Sequence, residues 1–139
     1  MTGHECMTEV RAIRRKIRLL EEEIARDTTL AEGVGAIRYD KDKVQTTPEP
    51  DRLTIIIGKI IENKEELERE VCKLQEKERQ IREFLLKLPE KYERVLVLHY
   101  FESRNWAEVA VIMNYDDRYV YEIKDKALKE LDEVLKQTE

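Results

Sequence analysis

The stretch WAEVAVIMNYDDRYVYEI, residues 106–123, fits the steric pattern of two short helices joined by a tight turn. Helices that cross steeply must approach closely, and Ala110 supplies the small residue that this approach requires. Asn114 stands at the turn, where left-handed backbone angles are needed and where asparagine is less strained than most residues. The side chains expected to fill the wedge between the helices are Val109, Met113, Val120 and Ile123. The stretch therefore predicts a helix-turn-helix.

Three helices are predicted after the proline at position 89, which interrupts the preceding helical pattern. Asn105 is expected to cap the second of them, because Glu108 follows three residues later as in a capping box. The predicted helices cover residues 89–101, 105–114 and 116–136.

Two long helices are predicted before this proline. Apolar residues recur at steps of three and four over 8–26 and again over 53–88, which is the pattern of an amphipathic or coiled-coil helix. Between them, over about 27–52, the periodicity is lost and a long loop is expected. The residues that interrupt this segment are Gly33, Gly35, Pro48 and Pro50.

Since helix one is predicted to be much shorter than helix two, helix one can cover only part of the apolar stripe of helix two, and another surface has to cover the rest. We expect the C-terminal domain or a second copy of the chain to supply it, and we predict that the chain forms a homo-oligomer through its N-terminal helices.

Composition agrees with an all-α fold, since apolar and charged residues each make up 41% of the chain and only four glycines occur. We expect an N-terminal helical hairpin or coiled coil at 1–88 and a helix-turn-helix domain at 89–139. Cys6 and Cys72 are a poor basis for a disulfide framework, and no apolar run has the length of a signal peptide or a membrane span. A cytoplasmic location is expected.

The C-terminal half resembles region 4 of bacterial sigma factors, which favours a helix-turn-helix over an ordinary helical hairpin with a small crossing residue. The resemblance is carried, in order and spacing, by Leu88–Phe101, Trp106–Ala110 and Lys126–Leu131. The N-terminal half is similar to phage-encoded late-operon activators of the ArpU and RinA families. That similarity rests on Lys43–Thr47, on Pro50–Arg52 and on the long charged helix that follows.

The region 4 resemblance implies a recognition helix in the major groove, with base-facing residues near its N-terminal end. Arg118 is placed to read guanine, Glu122 to accept from a cytosine amino group, and Tyr121 to meet a thymine methyl or a phosphate. Asp117 is also placed among the base-facing residues, although the family usually has a polar or basic residue at that position. Farther along the helix lie Lys124, Lys126 and Lys129, of which Lys124 is taken as a phosphate contact.

Arg104 and Asn105 lie at the start of the first helix of the motif, where side chains and free backbone N–H groups can hold a phosphate. The alternative for these residues is a solvated loop and an ordinary helix cap. Trp106 is expected to pack at the beginning of the helix rather than to stack on a base.

The charge of the chain is unfavourable for DNA binding by itself. The net charge is −5, and from residue 89 to the end eight Lys and Arg stand against twelve Asp and Glu. Because phosphate neutralisation supplies most non-specific affinity, a partner is needed, and the resemblance implies RNA polymerase. Features of sigma region 2 are missing, so promoter melting is not expected.

Two other functions would use similar sequence features. A small terminase subunit also joins a helix-turn-helix to long helices, and a ring-shaped oligomer would favour it. A polymerase- or sigma-binding protein without DNA contact would bind its partner regardless of Arg118. No catalytic constellation or cofactor motif is found, so neither enzyme activity nor a cofactor is expected. His4 and Cys6 are too few for a zinc site on a tail expected to be disordered, and His99 is expected to be a packing or edge residue.

Overall fold

The computed structural model describes residues 2–40 and 51–138 of the chain, and in this part every regular element is helical. The all-α fold predicted from the sequence is confirmed. None of the described helices is both long and apolar enough to cross a membrane. The helices are α1 (Gly3–Asp40), α2 (Arg52–Leu85), α3 (Glu90–Leu96, continued by a π-helical turn at Val97–Phe101), α4 (Trp106–Met113) and α5 (Asp117–Thr138).

Helix α1 extends far beyond its predicted end, so the loop predicted from residue 27 is wrong for residues 27–40. Glycine inside a helix costs about 1 kcal/mol relative to alanine, but it removes no backbone hydrogen bond and does not break the helix as proline does. Gly33 and Gly35 are accommodated in this way, and nothing packs closely against either. The rest of the predicted loop, with the motif at 43–47, falls on residues 41–50, which lie outside the described residues.

The chain divides into two compact units, one formed by Met1–Arg14 with Lys73–Glu139 and the other by Arg15–Cys72. We call them the terminal unit and the middle unit. Helices α1 and α2 contribute to both. The predicted functional border between residues 88 and 89 stays a prediction.

The middle unit pairs the later part of α1 with the first part of α2. The Lys16 ammonium lies 3.0 Å from Glu66 and 3.1 Å from the buried Glu70, so the beginning of this α1 segment contacts the end of the α2 segment. The hydrogen bonds that the Lys16 ammonium donates to these carboxylates, first of all to Glu66, raise the pKa of Lys16. Since early α1 meets late α2, the two helices run antiparallel, and the ion pairs favour this register.

Little apolar surface is buried within the part of the middle unit whose side chains are described. Among its described residues, the buried apolar side chains are Leu20 and Ile56. Five large apolar side chains are 43–52% exposed, namely Leu19, Leu30, Ile55, Ile57 and Ile61. The two helices have 38 and 34 residues, so the unequal lengths on which we based the expected self-association are not found. The reason to expect a partner is instead this exposed apolar surface.

The terminal unit has a core to which the first residues of the chain contribute. The core joins residues of α1, α2, the α2–α3 connection, α3 and α5, namely Cys6, Met7, Val10, Ile81, Leu85, Leu88, Leu96, Tyr100, Phe101, Ala127 and Leu131. The expectation of a disordered N-terminal tail is therefore wrong. Met7 and Val10 continue the apolar seam of α1 by one turn, and burial against the other helices stabilises that turn.

Gly3 allows the N-terminal end of α1 to lie directly against α5. Its backbone N–H donates to the carboxylate of Asp132, and a Cβ at this position would meet Leu131 and Asp132 at 3.0 Å. A glycine is the residue that permits this close approach.

Candidate nucleic-acid interface

Helix α4 begins with the predicted cap. The side-chain oxygen of Asn105 accepts a hydrogen bond from the backbone N–H of Glu108 at 2.8 Å, as an N-cap residue does. The Glu108 carboxylate pairs with Arg104 at 3.2 Å. The capping role of Asn105 is confirmed, whereas a phosphate contact by Arg104 or Asn105 stays a prediction.

The turn between α4 and α5 has the geometry that the sequence predicted. Asn114 adopts left-handed backbone angles, with φ 58° and ψ 45°. Tyr115 N–H donates to the carbonyl of Ala110 at 2.9 Å, and Asn114 N–H donates to that of Val111 at 3.2 Å. These two bonds form a Schellman motif, which satisfies carbonyls at the end of α4 and redirects the chain into α5.

A second apolar cluster fixes the angle between α4 and α5. Its buried members are Val95, Leu98, Val109, Ala110, Val120 and Ile123, and partly buried Met113 packs against them. The predicted wedge residues and the small crossing residue are thereby confirmed as packing residues. Because α3 supplies two members, Val95 and Leu98, the helix-turn-helix packs against α3.

Most of the predicted DNA-contacting side chains of α5 lie on its outer surface. Those exposed to solvent are Asp117, Arg118, Tyr121, Glu122 and Lys126, whereas Val120 and Ile123 on the same helix face the core. The first turns of α5 therefore present groups of both charges and the Tyr121 phenol outward, which are groups that can donate to and accept from base edges. Contact with DNA by these side chains stays a prediction.

Lys124 differs from the other predicted contacts because it is half-buried. Its ammonium lies 5.6 Å from the ring centroid of Trp106 and 5.5 Å from that of Tyr121. The two rings are 6.1 Å apart. Cation–π attraction thus holds Lys124 between the beginning of α4 and the exposed face of α5.

The connection from α3 to α4 is a wide turn that sequence reasoning missed. Glu102 N–H donates to the carbonyl of Val97 at 3.0 Å, and Arg104 N–H donates to that of Leu98 at 3.0 Å. Ser103 between them has φ 58°. Such π-helical turns are rare and often accompany functional sites. Here the turn carries Arg104 back over the end of α3.

His99 lies at the centre of this turn, only 4% exposed. Its Nδ1 is 2.7 Å from the carbonyl oxygen of Arg104, which can only accept, so Nδ1 carries the hydrogen. Its Nε2 is 2.8 Å from the Arg11 guanidinium, which can only donate, so Nε2 accepts. The imidazole also stacks on Trp106 with 3.7 Å between ring centroids. This polar role was not predicted.

Burial lowers the pKa of His99, and the Arg11 and Lys124 charges lower it further, against the opposing effect of the hydrogen bond to Arg104. The geometry agrees, since both of its hydrogen bonds are satisfied by the neutral ring. Among the described residues, no group of three or more His, Cys, Asp or Glu side chains is arranged to hold a metal ion.

The comparison with protein families supports the interpretation of this site. Residues 78–121 match the family model described as Sigma-70, region 4. The matched segment runs from the end of α2 through the first residues of α5, and it includes the wide turn and the helix-turn-helix. Neither curated proteins nor solved structures gave a match.

The chain therefore carries a helix-turn-helix domain like sigma-70 region 4, at the position where the sequence predicted it. Such domains act generally in DNA binding for transcription regulation.

Proposed function

We propose that the chain is a transcription regulator that binds promoter DNA through the first turns of α5. In this proposal the protein is encoded by a phage or prophage, acts in the cytoplasm and has no enzyme activity. The observation that carries the proposal is the helix-turn-helix geometry, with Arg118, Tyr121 and Glu122 exposed and Val120 and Ile123 buried. The late-operon activator type is supported by the sequence similarity at residues 43–52.

In this proposal Arg118 donates two hydrogen bonds to a guanine and Glu122 accepts from a cytosine amino group. Tyr121 packs on a thymine methyl or reaches a phosphate, and Asp117 limits the affinity of the first turn. Arg104 and the backbone at the beginning of α4 contact a neighbouring phosphate. Lys126 and Lys129 reach the backbone farther along.

RNA polymerase is the proposed protein partner. The segment from residue 89 to the end has eight basic and twelve acidic residues, so the domain itself supplies little net phosphate attraction. A partner that already holds DNA removes this difficulty, because the helix then needs only to discriminate among sequences. Region 4 domains contact polymerase in general, which supports this choice of partner.

Sequencing of the DNA that co-purifies with the chain from its native cell tests the proposal. We expect enrichment of a short common sequence upstream of transcription units, together with recovery of polymerase subunits. A parallel purification of the Arg118→Ala variant is the control, and it should recover polymerase but lose the sequence enrichment. Polymerase recovery with no enriched DNA from either protein would exclude promoter recognition and favour a purely protein-binding role.

Self-association of the middle unit is a second proposal, with another copy of this chain as the partner. It is supported by the exposed Leu19, Leu30, Ile55, Ile57 and Ile61, since two helices that leave such side chains in water gain by covering them. Closed symmetric oligomers are the common way in which identical chains do this.

Analytical ultracentrifugation of the full chain should show an oligomer that dissociates on dilution. Ile61→Lys is expected to shift it toward monomer, because a buried lysine has to be desolvated. Val111→Lys is the matched control on the terminal unit, where Val111 is 81% exposed, and it should leave the association unchanged. A chain that is monomeric throughout the micromolar range contradicts the proposal.

A further inference from the structure

Arg11 lies outside the segment that matches the region 4 model, yet it is bonded to the centre of the DNA-binding domain. Its guanidinium is 2.8 Å from Nε2 of His99, 88 residues away in the sequence. On the other side of the imidazole, Nδ1 donates to the carbonyl oxygen of Arg104 at 2.7 Å. One ring thus connects the N-terminal part of α1 to the residue that precedes the cap of α4.

The connection continues to the surface of α5 through stacked rings. His99 stacks on Trp106 at 3.7 Å with 15° between the planes, and the Lys124 ammonium lies 5.6 Å from the centroid of the Trp106 ring. His99 therefore contacts the backbone carbonyl of Arg104, the residue whose side chain is proposed to contact a phosphate. Lys124, for which the sequence predicts a phosphate contact, lies against the Trp106 ring that stacks on His99. The imidazole is held in turn by Arg11.

We propose that Arg11 is a positioning residue for DNA binding that acts through His99. It orients the wide turn that carries Arg104, and also Trp106 with Lys124, toward a DNA phosphate. The proposal rests on the function proposed above. It makes the first helix of the chain a part of the DNA-binding site, although Arg11 itself touches no DNA.

The protonation state of His99 controls this connection. Protonation adds a hydrogen at Nε2, which then faces the Arg11 guanidinium and can no longer accept from it. The charged groups around the ring are Arg11 from α1 and Lys124 from α5, and both oppose a second positive charge. Tyr100, at 4.6 Å between ring centroids, has its pKa raised by burial and stays neutral.

The direction of the pH effect follows from the lowered pKa of His99. The unfolded chain takes up this proton near the ordinary value of 6.5, and the folded chain takes it up only at lower pH. The stabilising contribution is therefore complete above pH 6.5, and it is lost as the pH falls from there through the folded pKa.

The experiment measures binding of a short mixed-sequence DNA duplex to the full-length chain by fluorescence anisotropy at several salt concentrations. Arg104→Gln should flatten the dependence of log K on log salt by about one unit, since one phosphate contact is lost. Arg11→Gln should flatten it similarly, and the double variant should lose little more than either single variant. Arg15→Gln, an exposed arginine on the same helix, is the control and should behave as the wild type.

The fluorescence emission of Trp106, the only tryptophan, provides a second readout. A variant that is less stable but still folded should keep the emission of the wild type. The emission should change in Arg11→Gln but not in Arg15→Gln, and Arg11→Lys, which keeps a donor, should partly restore it. In the wild type the emission should change as the pH falls below 6.5 and His99 takes up its proton. In His99→Gln this pH-dependent change should be absent. Thermal unfolding confirms that each variant is folded at the assay temperature.

The outcomes separate this inference from the proposed function. Full additivity of the Arg11 and Arg104 losses, or an Arg11→Gln variant that binds like Arg15→Gln, overturns the positioning role and leaves DNA binding intact. No loss in Arg104→Gln removes that phosphate contact and the positioning role with it. No binding of the wild-type chain to the duplex at low salt, or to promoter DNA with polymerase, overturns both.

Discussion

Replacing Met7 with alanine is expected to lower the free energy of unfolding of the terminal unit by about 2–5 kcal/mol, as buried methionine-to-alanine changes do. Met7 is fully buried, in a core that also contains Leu131 of α5 and Leu85 of α2. The substitution removes apolar contacts and leaves a cavity at the place where α1 packs on the DNA-binding domain. Since folded domains are only marginally stable, such a loss is a large part of the total.

Urea denaturation followed by the emission of Trp106 measures this effect directly. Leu86→Ala is the matched control in the same unit, because Leu86 is 73% exposed, and it should change stability by no more than about 0.5 kcal/mol. The midpoint should fall for Met7→Ala with little change in the slope, which reports the surface exposed on unfolding. Equal midpoints for the two variants would mean that α1 does not pack into this core in solution.

Arg118→Ala is expected to weaken binding to the preferred promoter sequence by about 1–3 kcal/mol, or about 5- to 150-fold in Kd. The physical reason is that a guanidinium donates two hydrogen bonds to the O6 and N7 acceptors of guanine, and no other base presents this pair of acceptors. The preference for guanine at one position should therefore disappear together with the affinity. Arg118 is exposed on the first turn of α5, so the substitution should leave the fold unchanged.

Lys126→Ala provides the contrast on the same helix. Lys126 is exposed, whereas the Lys124 side chain is committed to the Trp106 and Tyr121 rings and its removal would also disturb packing. Loss of a phosphate contact should weaken all sequences alike and flatten the salt dependence by about one unit. Both variants should be measured on matched and scrambled promoter fragments, with and without polymerase.

The outcomes of this comparison lead to different conclusions. Equal, sequence-independent losses for the two variants would make Arg118 a phosphate contact rather than a base reader. No loss for either variant, with polymerase present, would move the function of the domain from DNA to a protein partner.

The helix-turn-helix could be read from the sequence because its requirements are local. A small residue at the crossing, a left-handed residue at the turn and a side-chain cap each restrict the amino acid at one position. Ala110, Asn114 and Asn105 satisfy them. The alternation of buried and exposed residues on α5 follows from helical periodicity, so the exposed face of the candidate site was also predictable.

The end of α1 was mispredicted because the pattern there is ambiguous. Gly33 and Gly35 lower helix propensity without preventing a helix, and the weak apolar periodicity after residue 26 did not decide the matter. Propensity is a small term compared with what packing and uninterrupted backbone hydrogen bonding contribute along a long helix.

By itself the sequence determined the helical class, the helix-turn-helix and the exposed face of α5, since these depend on periods and caps within a few residues. Only the tertiary structure decided that Met7 and Val10 belong to the core of the DNA-binding domain, and that Arg11 reaches His99 across 88 residues. Such pairs leave no periodic trace in one sequence, because a buried methionine or a surface arginine fits many partners equally well. Which partner each one meets depends on how whole helices pack, and that is a property of the folded chain.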